Sequence, residues 1–206
     1  MKNIKWKTLF LTSFVCLLPI LFGLSVWEKL PDTLPIHFNI HGEADNYASR
    51  AFAVIGLPFI MALFQVFCCI TSDWQTARYG GNKNIERVTK WSIPCLTTVL
   101  YVITIAYGLG HAFDIRKPIM LIIGILFILI GNYMPKLRYV NCGRITGEKA
   151  RKINRFVGFA TVILGICFLL SVFLPPHFSV GALLLCVPYT ALVIWCGRKV
   201  EREDEG

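Results

Sequence analysis

Charge is scarce in this sequence. Of its 206 residues only 16% are charged and 55% are hydrophobic, whereas soluble domains carry roughly a quarter charged residues. The shortage is concentrated. Residues 8–26, 51–71, 92–111, 118–134, 156–174 and 178–196 contain no Asp, Glu, Lys or Arg. An ionisable side chain at bilayer depth costs about 2.5–3.5 kcal/mol and usually marks a proton relay or ion path, so this absence argues against a proton-driven pump or an intramembrane protease. Ten-residue alternating segments are missing too, which excludes a lipid-spanning barrel. No nucleophile elbow, HExxH or comparable catalytic spacing occurs, although Asp32, Glu43 and Asp45 supply carboxylates. The expectation is a protein that is not an enzyme, with no cofactor and no metal.

The eight cysteines do not form a disulfide framework. Seven lie in the apolar stretches and Cys142 in a connecting loop, so they read as small buried hydrophobes.

What is present is six runs of about 18 or more residues, each long enough to cross a hydrocarbon core roughly 30 Å thick as a helix. With lipid outside, backbone amides must pair within each run. The fold class expected is all-α: a polytopic membrane protein with six transmembrane helices. Lys2, Lys5 and Lys7 precede the first run as in a signal peptide, but that run exceeds a signal h-region of roughly 7–15 residues, and a retained helix is expected.

Orientation follows from the basic residues. Seventeen of the 21 Lys and Arg fall on one side of the six runs; only Lys29, Arg50, Arg116 and Lys117 fall on the other. The positive-inside rule then puts the N and C termini in the cytoplasm. A basic collar against anionic lipid, worth about 1 kcal/mol per residue, accounts for the net charge of +9 without direct nucleic acid binding. It also offers a surface to an acidic protein partner.

The loop 27–50 is then extracellular, and it is the informative one. Ile36, Phe38 and Ile40 alternate with His37, Asn39 and His41 between Pro35 and Gly42, a period of two that predicts a short extended segment with its apolar face on the span ends. Gly42 to Asp45 reads as a turn, with Asp45 folded back onto the backbone. In a strand His37 and His41 would stand roughly 13 Å apart, too far for one zinc; in a helix they would converge, with Glu43 or Asp45 completing a site. Pro19, Pro58 and Pro188 lie inside runs and predict kinks. Gly158, Ala160 and Gly165 give the fifth run a smooth face, and the short 175–177 link pairs runs five and six.

The stretch from Leu30-Pro31-Asp32-Thr33-Leu34-Pro35-Ile36-His37-Phe38-Asn39 through Gly42-Glu43-Ala44-Asp45 to Tyr47-Ala48-Ser49-Arg50 resembles the bacterial membrane family called domain of unknown function 1648. A second block, Gly131-Asn132-Tyr133-Met134-Pro135-Lys136-Leu137-Arg138, is similar to a box of the SdpI family. The following 141–148 departs from that family by lacking its Pro-Trp. The resemblance implies a DUF1648-like region over 1–66 and an SdpI-like helical bundle over 67–206 with basic cytoplasmic loops 72–91 and 135–155. It further implies a multi-pass protein of the bacterial cytoplasmic membrane that gives immunity to, or senses, an extracellular peptide toxin and signals to a small cytoplasmic repressor. Its recognition residues are then His37, Phe38, Asn39, His41, Gly42 and Asp45, its cytoplasmic contacts Lys136, Arg138 and Arg144, and its structural residues Asn132 and Pro135. From the residues themselves two alternatives stay open: a small transporter or flippase built on the kinked helices, and a membrane metalloenzyme using the external histidines.

Overall fold

The computed structural model describes residues 4–39, 42–111, 114–137, 139–140 and 145–205. Six helices are long and apolar enough to cross a membrane: Trp6–Ser25, Phe52–Tyr79, Lys83–Gly108, Arg116–Lys136, Gly147–Ser171 and Pro176–Cys196, here spans 1 to 6. The shortest, at 20 residues, is roughly 30 Å long, the thickness of a hydrocarbon core. The chain is a multi-pass membrane protein. Spans 3 and 5 begin nine residues earlier than their apolar runs, because helical hydrogen bonds continue through polar residues where hydropathy has already fallen.

Charge inside these helices stays near their ends. Asp73 and Lys90 are buried, yet Asp73 lies roughly 31 Å along span 2 from Phe52 and Lys90 roughly 27 Å along span 3 from Gly108, at a hydrocarbon edge in each case.

The chain divides into two compact units. The first, Met1–Thr71 with Lys90–Ile119, holds span 1, most of spans 2 and 3, and an antiparallel hairpin of β1 (Thr33–Phe38) and β2 (Ala44–Ser49). The sequence reading foresaw only the first strand. Its turn is also corrected: Asn39 N–H donates to the Glu43 carbonyl at 2.8 Å and Gly42 N–H to the Asn39 carbonyl at 2.9 Å, so Asp45 belongs to β2. Gly42 takes φ 79°, a left-handed value that favours glycine. The register slips between Pro35↔Tyr47 and His37↔Asn46. This bulge breaks the strict alternation expected from Ile36 onward, where Ile36 and His37 are both exposed; Leu34 and Pro35 ahead of it are both buried.

Leu30 and Leu34 pack with Ala53 and Val54 of span 2 and with Tyr101 and Ile105 of span 3. Gly108 makes room for them, since a Cβ there would collide with the Leu34 side chain. Gly23 does the same for the Tyr101 hydroxyl.

Two prolines shape this unit. Pro58 and Pro94 lie within spans 2 and 3, and each, lacking an N–H, leaves the carbonyl four residues earlier without its helical donor. Those carbonyls are Val54 and Lys90. The Tyr101 hydroxyl donates to the first at 3.3 Å, and Gln65 Nε2 donates to the second at 2.8 Å. A side chain from another span thus replaces the missing amide in both places, as a bilayer requires. Immediately before Pro58 the helix opens into a π-turn, Phe52–Gly56. Pro19 divides span 1 into Trp6–Leu17 and Pro19–Ser25.

The second unit, Ser72–Thr89 with Met120–Gly206, contains spans 4 to 6. Met120, Leu164, Phe168 and Ala182 form its core. Gly124 faces Gly165 and Gly131 faces Gly158 so closely that a Cβ on any of the four would fall 2.6–2.9 Å from opposing backbone. The smooth face foreseen on span 5 therefore has span 4 as its partner. Spans 5 and 6 pair through Thr161 and Tyr189, whose hydroxyls lie 2.7 Å apart.

Candidate recognition hairpin and the cavity beneath it

Arg50, at the base of β2, anchors the hairpin to its flanking helices. Its guanidinium donates to the Trp27 carbonyl at 2.8 Å, lies over the Trp27 ring and pairs with Asp32, while its backbone N–H donates to the Asp32 carbonyl at 2.7 Å. One cation thus joins the end of span 1, the strand entry and the start of span 2. The signal for this anchor in the sequence is a lone basic residue opening an apolar run.

Above that anchor His37 and Asp45 face each other across the strands. Nδ1 donates to Oδ1 at 2.6 Å, and the side chains are 65% and 42% exposed. Nε2 is the imidazole's remaining polar atom. Asn39 is committed to the turn: its Oδ1 accepts from Glu43 N–H at 3.0 Å and its Nδ2 donates to Glu43 Oε2 at 3.1 Å. Phe38 is half-buried, meeting Tyr107 edge-on with ring centroids 5.4 Å apart. Of the six residues expected to form the recognition surface, His37 and Asp45 thus stand together in the open. Asn39 and Gly42 shape the turn, Phe38 faces the spans, and His41 lies outside the described residues. Among the described residues no three His, Cys, Asp or Glu side chains converge as metal ligands would.

On the same unit, in the connection before span 4, the Arg116 guanidinium lies 3.0 Å from Asp114 and holds that carboxyl below the usual carboxylate range.

Under β1 lies a cavity of about 220 Å³. Ile36 and Phe38 roof it; Ala53, Pro58 and Met61 of span 2 face Thr97, Tyr101 and Thr104 of span 3 across it. The π-turn and Pro58 of span 2 lie at this point, a position beneath the hairpin that only the fold reveals.

The residues expected at the cytoplasmic contact are less accessible to description. Lys136 is exposed, with its ammonium 4.6 Å above the Tyr133 ring, while Arg138 and Arg144 lie outside the described residues. Asn132 is exposed near the end of span 4. Pro135 does stop span 4, in the final turn Met134–Lys136, and its ring sits against Gly158. Asn154, buried, donates to the Leu137 carbonyl at 3.1 Å just beyond that turn.

The anchor and the exposed pair differ in energy. Arg50→Ala strips donors from a carbonyl and a carboxylate, and about 1–3 kcal/mol of hairpin stability should be lost. His37→Ala removes one exposed pair and should cost less than about 1 kcal/mol. Limited proteolysis between residues 31 and 50 measures both: cleavage should accelerate sharply in the first variant and little in the second, and equal rates would refute the anchoring role.

No curated protein and no solved structure matches the chain. Residues 14–62, which run from span 1 through the anchored hairpin into span 2, match the family model described as Domain of unknown function (DUF1648).

Proposed function

We propose that this membrane protein is non-enzymatic, is similar to the SdpI family, and gives immunity to or senses an extracellular peptide toxin. The observation that carries the reading is the hairpin: tied down by Arg50 and Leu34, it holds the polar His37 and Asp45 pair in the open. A surface held in place in this way loses little entropy on binding. The 17 to 4 division of basic residues supports an extracellular hairpin and cytoplasmic termini in the bacterial cytoplasmic membrane. Phe38, Asn39, His41 and Gly42 complete the recognition cap, and Lys136, Arg138 and Arg144 receive a small repressor protein on the opposite side.

Deleting the gene should sensitise its host to the cognate peptide, and the double variant His37→Ala, Asp45→Ala should weaken peptide binding by about tenfold or more while normal protein levels persist. Unchanged toxin sensitivity on deletion, together with purified protein that binds neither peptide nor repressor, would end the proposal. The broken helix from Phe52 to Pro58 favours a second reading, a small transporter. Solute uptake into proteoliposomes that disappears in Pro58→Ala would support that reading instead.

A further inference from the structure

We propose that the cavity beneath β1 holds one acyl chain of a phospholipid from the leaflet on the hairpin side of the membrane. Its length suits a single chain. The wall runs along span 2 from Ala53 to Met61, a rise of roughly 12 Å, which covers most of one leaflet's hydrocarbon, about half of a core roughly 30 Å thick. At about 220 Å³ the cavity is small. Ordinary ligand pockets of about 300–1,000 Å³ are larger.

The chemistry of the walls agrees. None of the lining residues is charged. The Thr97 hydroxyl donates to the Ile93 carbonyl of its own helix at 2.8 Å, and the Tyr101 hydroxyl is engaged by Val54, so neither asks for a polar occupant. Leu100, midway along the slot on span 3, is 40% exposed, which leaves a side entrance where lipid lies. Within a bilayer an acyl chain gains no hydrophobic transfer energy by entering. It gains the dispersion contacts of a preformed slot and removes the void. The slot is bordered by the π-turned start of span 2 and by Tyr101, which is fixed at its hydroxyl.

Full-length protein is reconstituted in phosphatidylcholine vesicles doped with a phosphatidylcholine carrying a mid-chain diazirine, irradiated, and mapped by mass spectrometry. Leu57 and Met61 in the slot should be labelled several-fold more than Leu63, which is 71% exposed on the same helix. Ala53→Phe and Thr104→Phe, which fill the slot from opposite walls, should lower labelling at Leu57 and Met61 several-fold and leave Leu63 unchanged. Slot labelling no higher than at Leu63 in the parent protein overturns the proposal, as does unchanged slot labelling in a filled variant that still chromatographs as folded. Because the parent comparison stands alone, the proposal remains decidable even where both filled variants misfold.

Discussion

Valine in place of Gly131 is expected to destabilise the protein severely, by about 3 kcal/mol or more. A Cβ at that position would lie 2.6 Å from the Gly158 carbonyl oxygen and 2.9 Å from the Val162 nitrogen. Both obstacles are backbone, so no side chain can swing aside and spans 4 and 5 must separate. Overpacking that side chains absorb costs about 1–3 kcal/mol. Here the cost should reach or exceed the top of that range, against a total stability of about 5–15 kcal/mol. Gly158→Val should behave alike, since its Cβ would meet the Gly131 carbonyl at 2.6 Å. Gly181→Ala is the control: it is helical with nothing within 4 Å of its added Cβ, and a helical Gly→Ala change is favourable by up to about 1 kcal/mol. Yield of monodisperse protein and its thermal midpoint in detergent decide the matter. A Gly131→Val protein as stable as the parent would show that the two helices are free to part.

The second large effect concerns Gln65. It is fully buried, and its Nε2 donates to the Thr12 hydroxyl at 2.8 Å and the Lys90 carbonyl at 2.8 Å, with the Cys69 sulfur at 3.1 Å. Leucine has nearly the same size, so Gln65→Leu tests hydrogen bonding more than packing. Thr12 keeps its own bond to the Thr8 carbonyl at 2.8 Å. The Lys90 carbonyl fares worse, because Pro94 supplies no amide, and an unpaired buried acceptor costs about 1–3 kcal/mol. The distinguishing result is a rescue. Pro94→Ala restores an N–H opposite that carbonyl, so the double variant should be more stable than the sum of the two single changes predicts, with a coupling of about 0.5–3 kcal/mol. Strict additivity would mean that Gln65 does not substitute for the missing amide.

These two cases show where sequence is legible and where it is not. The spans could be read because a bilayer imposes one length and one polarity on every helix that crosses it. Their ends could not, because residues such as those from Lys83 to Trp91 are polar by composition yet helical by hydrogen bonding. β1 announced itself by alternation. β2, Ala44–Ser49, did not: its residues are mostly exposed and show no apolar periodicity, and its pairing depends on the Asn39 turn and on the Arg50 anchor. Gly131 was quoted for a family likeness and Gly158 for smoothness, but that they touch follows only from how spans 4 and 5 meet. Likewise Pro58 and Pro94 can be counted in a sequence, whereas Tyr101 and Gln65 as their remedies lie 43 and 29 positions away and carry no local signal.

The facing glycines have a geometric consequence. Gly124 and Gly131 are separated by seven residues, as are Gly158 and Gly165, and a straight α-helix drifts about 20° over such an interval. Seven residues are close to two full turns, so each helix returns both of its glycines to nearly the same face and the two pairs lie on one seam. Deleting a single residue between Gly124 and Gly131 would rotate one contact about 100° off the seam, so the interval itself, and not only the residues at its ends, is fixed by the fold.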